Sequence, residues 1–315
     1  MSILSLNAQN VNIPDANFKN ALLNHYTVID TNDDGEIQVS EAEAFSGILY
    51  VPSNGIDDLT GLNSFINITE LNCSSNNLTS LDVSNNTELT ELNCAANNLT
   101  SLDVSNNTEL ASLSCGINNL VSLDVSNNTS LTTISCRDNQ LTSLDVSNNT
   151  ALFGLQCFNN NLTSLDVSNN PSLAIVRCEN NQLTTLNVTN GNNSGILSFN
   201  AKSNNLDCIQ IDSGFTPPGS WQKDATAEYS DDCQALSVPS HQQQDVTVYP
   251  NPVQDVLHIT ASEKLKKITI YNLSGQEIAI SLNTTSVNMQ QMSQGVYLAK
   301  IDTANGSIYQ KIIKK

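Results

Sequence analysis

The chain is 315 residues long and carries 12 basic against 31 acidic side chains, a formal charge of −19, with 26 of the acids but only 5 of the bases in residues 1–244. A surface this acidic repels phosphate backbones, which argues against nucleic acid as a partner. No apolar run approaches the ~18–20 residues that would span a bilayer.

The first ten residues, MSILSLNAQN, read as the end of a secretory signal. Residues 4–6 would close an apolar stretch, and Leu6-Asn7-Ala8 is a small-residue cleavage site before Gln9. Residues 1–10 are therefore expected to be residual signal peptide with its start upstream. The other reading is a disordered terminus.

Residues 30–41 read DTNDDGEIQVSE. Oxygen-bearing side chains stand at positions 1, 3, 5, 9 and 12 of this segment, Gly35 permits a sharp turn, and Ile37 is an apolar position 8. Residues 17–26 have helical apolar spacing through Phe18, Leu22 and Tyr26, which predicts an entering helix; the exit helix through Glu43 and Phe45 is short. The segment resembles an EF-hand loop. That resemblance implies a calcium ion held by Asp30, Asn32, Asp34 and Glu41, by the backbone carbonyl of Glu36, and by Gln38 through water. One loop is present where EF-hands usually pair, so residues 11–47 are expected to be a calcium-stapled N-terminal cap rather than a sensor. An acidic turn that holds no ion tightly is the alternative.

Cys73, Cys94, Cys115, Cys136, Cys157 and Cys178 then follow at intervals of 21 residues, each inside much the same phrase, L-x-x-L-x-C-x-x-N-x-L, which Ile68, Leu71, Cys73, Asn76 and Leu78 fill first. A fixed period means one structural unit stacked on itself. Leu49-Val51-Asn54-Ile56 precedes the array and Phe199-Ala201-Asn204-Leu206 follows it after a two-residue insertion near Gly191, giving eight coils over residues 48–211. These coils resemble the leucine-rich repeat family. The alternation around each cysteine is a short strand with Leu71 and Cys73 inward. Asn54, Asn76, Asn97, Asn118, Asn139, Asn160, Asn181 and Asn204 stand where the chain leaves the strand and can bond the orphaned backbone groups of adjacent coils. The phrase LTSLDVSNNT offers no amphipathic helix, so the convex side is expected to be extended.

Stacked cysteine side chains point the same way, which opposes bridging between coils, and no histidine joins them as a metal ligand; six buried thiols are expected. Cys208 and Cys233 break the period and flank a Gly-, Pro- and aromatic-rich segment where the last coil needs covering. A disulfide between them holding a C-terminal cap over residues 212–233 is the preferred reading, and two unpaired thiols the other.

Residues 234–245 read as a polar linker. Beyond them, alternation and turn signals predict a small antiparallel β-sandwich. Tyr249-Pro250-Asn251-Pro252 with Leu257 and Ile259, Tyr271-Asn272 to Gly275, Gly295-Val296-Tyr297, and the basic Lys311, Lys314 and Lys315 resemble the C-terminal sorting domain of the type IX secretion system. For residues 246–315 the resemblance implies export by that machinery to the outside of the outer membrane. The fold class is thus mainly β: a repeat solenoid, a small helical N-terminal cap and a C-terminal β-sandwich.

His25, His241 and His258 accompany no repeated nucleophile, and no phosphate loop, zinc spacing or carboxylate pair stands out, so catalysis is not expected and no catalytic residue is assigned. Binding is. Within residues 48–211 the only basic residues are Arg137, Arg177 and Lys202, beside Phe158, Asp138 and Glu179 on outward positions next to the strands. These six form the candidate patch for a protein or glycan ligand, as in adhesion. The alternatives are a rod or surface-layer spacer that binds nothing, and a face for ice or ordered polysaccharide built on Thr79, Thr100, Thr142, Thr163 and Thr184, a row that Val121 interrupts.

Overall fold

The computed structural model describes residues 9–233, 246–261, 264–303 and 307–315. Residues 1–8 of the expected signal remnant and the whole expected linker 234–245, with His241, lie outside the described residues. The chain divides into two compact units, Met1–Leu236 and Ser237–Lys315.

In the first unit eight parallel strands stack in chain order: Ser46–Tyr50, Asn67–Asn72, Glu91–Asn93, Ser112–Ser114, Thr133–Ser135, Gly154–Gln156, Ile175–Arg177 and Ser198–Asn200. Each inner strand is short because the L-x-C alternation lasts one period before the chain must turn. Equivalent residues face each other across the sheet, Glu70 opposite Glu91 and Asn72 opposite Asn93. The leucines and all six periodic cysteines are buried in one continuous core. The return side stays extended; in the later coils it forms a second parallel sheet from Ser164–Asp166, Thr185–Asn187, Cys208–Gln210 and Glu228–Ser230.

Two features bend each coil. The residue two beyond the cysteine position adopts the left-handed region, at Ser53, Ser75, Ala96, Ile117, Asp138, Asn159, Asn180 and Ser203, with φ between 53 and 57°. The asparagine that follows is buried in the inner coils. Asn97 donates to the Cys73 and Cys94 carbonyls at 3.0 Å each and accepts the Leu78 N–H at 3.0 Å. A second asparagine column, read from sequence only as a polar turn, is buried more deeply: Asn86, Asn107, Asn128, Asn149 and Asn170 are fully covered. Asn107 donates to the Val83 and Asn86 carbonyls at 3.0 and 2.9 Å, and its neighbours in the column repeat the pattern.

The stack has about nine coils, one more than the sequence indicates. Asn200 bridges Gln222 in parallel, and Glu228–Ser230 pairs with Cys208–Gln210. The expected cap 212–233 is therefore itself a degenerate coil. Its repeat phrase is missing because Trp221 does the covering, stacked on Phe199 with ring centroids 4.3 Å apart. Asp224 accepts the N–H groups of Ser203 and Asn204 that a further coil would have taken.

At the other end, Ala16–Leu23 is a helix capped by Asp15, whose carboxylate accepts the Phe18 N–H, and it buries Phe18 and Leu22. It stops short of the expected Tyr26. Asn24 caps its end by donating to the Asn20 carbonyl, and Tyr26 is left 67% exposed. The six-residue helix Val39–Ala44 starts at a capping box between Gln38 and Glu41.

The second unit has a three-stranded antiparallel sheet, Val246–Tyr249, Val256–Ala261 and Ser286–Asn288. A four-stranded one runs in the order Glu277–Leu282, Lys267–Tyr271, Gly295–Asp302 and Ser307–Lys314. Leu257, Ile259 and Val287 from the first share a core with Ile268, Ile270, Ala299, Ile301 and Ile312 from the second.

Candidate functional site

The six patch residues fall on consecutive coils but are not equivalent. Arg137 and Arg177 both lie over the Phe158 ring, their guanidinium carbons 5.7 and 4.7 Å from its centroid. Each is also paired: Arg137 Nη1 stands 2.5 Å from Asp138 Oδ2, and Arg177 pairs with Glu179. Asp138 also accepts the Asn159 side-chain amide at 2.5 Å. Glu179, expected to face outward, is 6% exposed, and its Oε2 is buried without a partner. Its place beside the cysteine turns it under Arg177, and its charge adds to the burial that pushes the Cys178 thiol up to about 12. Lys202 is exposed, and among the described residues it makes no ion pair. Asp138 occupies the left-handed turn, so that position answers to backbone geometry as well as to any ligand.

The N-terminal end of the same face holds a groove that the sequence reading missed. About 350 Å³ in volume, it is lined by Tyr26, Ile48, Tyr50, Glu70, Asn72, Glu91 and their neighbours. Tyr26 and Tyr50 meet edge to face with ring centroids 6.5 Å apart. The available signal was the phrase TELNC, present in two consecutive coils and replaced by ASLSC and TTISC in the next two.

In the loop 30–41, side chains organise the backbone. Asp30 accepts the Gly35 N–H at 2.9 Å, Asn32 that of Asp34 at 3.0 Å, and Asp34 that of Glu36 at 2.9 Å. The Glu36 N–H and the Gln38 amide hold the Asp34 carboxyl below the usual range. Asn32 and Gln38 each donate to Asp34, at 3.2 and 3.0 Å, and Asn32 also reaches Gln38 Oε1 at 3.0 Å. Positions 3, 5 and 9 thus share one small space, and rotating either amide would turn its oxygen inward. Glu41 accepts the Thr31 N–H at 2.7 Å and the Gln38 N–H at 3.0 Å, and Glu36 pairs with Lys19 at 2.6 Å. Among the described residues no three His, Cys, Asp or Glu side chains form a ready metal cluster. The donors here are a mixed oxygen set of carboxylates, amides and a carbonyl, which fits a hard cation such as calcium. The Val11 N–H donates to the Ile37 carbonyl and the Val39 N–H to the Gln9 carbonyl, both at 2.8 Å, so residues 9–11 occupy the edge at which a second loop would pair.

Cys208 and Cys233 are joined as a disulfide with Cα atoms 5.7 Å apart. His25 is built into the N-terminal cap: its Nε2 accepts the Tyr50 N–H at 3.0 Å, and its ring packs on Tyr26 and Phe45. His258 stacks on Tyr249 in the second unit. Thr79, Thr100, Thr142, Thr163 and Thr184 are exposed in one row, and Val121 among them is 56% exposed.

Residues 247–315 match a family model described as a secretion system C-terminal sorting domain. No curated protein matches the chain. Among solved structures, the functional domain of InlJ from Listeria monocytogenes, described as including a cysteine ladder, is 19% identical over 89% of this chain and 93% of its own, with a TM-score of 0.33. An internalin, inlF, from the same organism is 20% identical, with 73% and 75% covered and a TM-score of 0.49. A leucine-rich repeat protein of Leptospira interrogans is 20% identical, with 57% of this chain and 51% of that one covered and a TM-score of 0.44, so the chain spans about half its length. No helix among the described residues is long and apolar enough to cross a membrane. The protein is secreted or displayed at the cell surface: a solenoid of leucine-rich-repeat-like coils carrying, at residues 247–315, a sorting domain of the type IX secretion kind.

Proposed function

We propose that the solenoid is a binding module that recognises a protein or glycan through its strand face, in adhesion, after delivery by the type IX machinery acting on the C-terminal unit. The observation that supports it is the stack of Arg137, Phe158 and Arg177, large and charged side chains brought together from three successive coils. Asp138 and Lys202 flank the stack, and Glu179 orients Arg177 from beneath. A planar cation held on an aromatic face is partly desolvated and fixed in place, which suits carboxylate or hydroxyl recognition. Calcium, held by Asp30, Asn32, Asp34, Gln38, Glu41 and the Glu36 carbonyl, stiffens the N-terminal cap and takes no part in ligand recognition.

A protein and glycan array probed with the full chain, and with the R137S/F158S/R177S variant, tests this. Binding that disappears in the variant while its melting curve stays cooperative supports the reading; unchanged binding removes it. The internal pairing of both arginines favours a second reading, a spacer in which the patch only knits adjacent coils. In that case the array is empty for both proteins and the variant loses stability instead.

A further inference from the structure

We propose that the groove at the N-terminal end of the strand face holds the arginine or lysine side chain of an extended segment from a partner protein. Glu70 and Glu91 sit directly opposite each other on neighbouring parallel strands, so their backbones are only ~4.8 Å apart. Among the described residues neither makes an ion pair or a side-chain hydrogen bond. Two like charges in register repel one another and are relieved by a cation between them. Among the described residues no basic side chain lines the groove; Lys19 is tied to Glu36 at 2.6 Å, and Arg137 is tied to Asp138.

The aromatic wall gives the site its shape and a second attraction for a cation. Tyr26 and Tyr50 are 67% and 51% exposed, yet both are positioned from behind by His25. That ring accepts the Tyr50 N–H and packs against Tyr26 at a centroid distance of 4.4 Å. Exposed tyrosine faces attract ammonium and guanidinium groups, more strongly when acids stand beside them. Asn72 and Asn93 spend their side-chain oxygens on the N–H groups of Ser74 and Ala95, which leaves their NH₂ groups to meet the carbonyls of an extended peptide. A neutral sugar could stack on the tyrosines but would leave the paired carboxylates uncompensated. Charge complementarity therefore selects the basic peptide. The site does not rest on the Arg137–Phe158–Arg177 patch, which lies on later coils.

The test is titration of the full chain with the capped peptide Arg-Gly-Arg-Gly-Arg, following the ring NMR signals of Tyr26 and Tyr50 and the heat of binding. The expected result is saturable binding that shifts both rings and weakens about tenfold or more in E70Q/E91Q, with a smaller loss in Y26A. A D103N/D124N variant, which removes acids from the return side, and R137S/F158S/R177S should both bind as the parent does. Equal affinity in E70Q/E91Q and the parent overturns the proposal. So does the absence of ring shifts with the peptide, or shifts produced by chitohexaose and not by the peptide.

Discussion

Asn118 and Asn128 lie ten residues apart in one coil, both buried, and the backbone uses them differently. Asn118 donates to the Cys94 and Cys115 carbonyls and accepts the Leu99 N–H, so removing it orphans groups on two coils. Asn128 donates to the Val104 and Asn107 carbonyls, and its own Oδ1 already lacks a partner. Asn118→Ala is therefore expected to cost about 2–4 kcal/mol and Asn128→Ala about 1–2 kcal/mol, read as urea midpoints. Ile117 stands at φ +55°, where a β-branched residue is strained. Ile117→Gly should stabilise by about 1 kcal/mol; a fall in the midpoint would show that the side chain contributes more than the turn costs. The periodic thiols behave as core. Burial pushes Cys73, Cys136 and Cys178 up from 9.0 to about 12. The folded state holds these protons more tightly than the unfolded state, so the contribution is intact below pH 9 and is lost as pH rises toward 12. Alkylation with iodoacetamide at pH 8 should leave all six unmodified until denaturant is added, whereas labelling at native rates would contradict a closed core.

At the scale of elements, the two ends of the stack solve the same problem with different chemistry. Each must cover apolar side chains and satisfy backbone groups that an inner coil passes to its neighbour. At the C-terminal end Trp221 covers Phe199, Asp224 takes two N–H groups, and the disulfide fixes the degenerate coil. With the cysteines 25 positions apart in sequence, C208S/C233S should lower stability by about 3 kcal/mol, and fraying should begin in the last coils, visible as hydrogen exchange at Cys208–Gln210 before Leu113. At the N-terminal end Asp15 caps both its own helix and the N–H groups of Asp57 and Asp58. The loop 30–41 packs beside that cap, so calcium should raise the melting temperature and a chelator should reverse the gain. D34N/E41Q should abolish the calcium dependence while leaving a folded solenoid. A melting curve indifferent to calcium would make the loop a plain acidic turn. The helix that was expected to reach Tyr26 shows where local pattern misleads, because Phe18, Leu22 and Tyr26 have helical spacing. Asn24 nonetheless ends the helix, and the His25 ring accepts the N–H of Tyr50 on the first strand. That bond, 25 residues away in sequence, places Tyr26 in the groove instead of on a buried helix face.

For the whole molecule, the 21-residue period, the inward L-x-C phrase and the absence of a helical return were legible because each coil repeats the same local physics and contacts only its neighbours. The sorting domain was legible for a related reason, being a compact set of motifs in chain order, and residues 247–315 match its family. Deleting residues 247–315 should therefore leave the protein inside the producing cell with the solenoid still folded, measured by fractionation and a melting curve. Less legible was anything set by a neighbour with different wording. The ninth coil escaped notice because an aromatic stack replaces the repeat phrase, and the second asparagine column because its turn looks polar when burial by adjacent coils is invisible. The candidate patch shows the same limit: sequence placed Arg137, Phe158, Arg177 and Glu179 on successive coils, but not that Phe158 lies under both arginines or that Glu179 is covered. Coil, repeat and address can be read along the chain, since they follow from local periodicity and short motifs. Which side chains meet across coils is set in three dimensions, because stacking at a fixed spacing turns residues 21 or more apart into neighbours and sets each one's charge against the next.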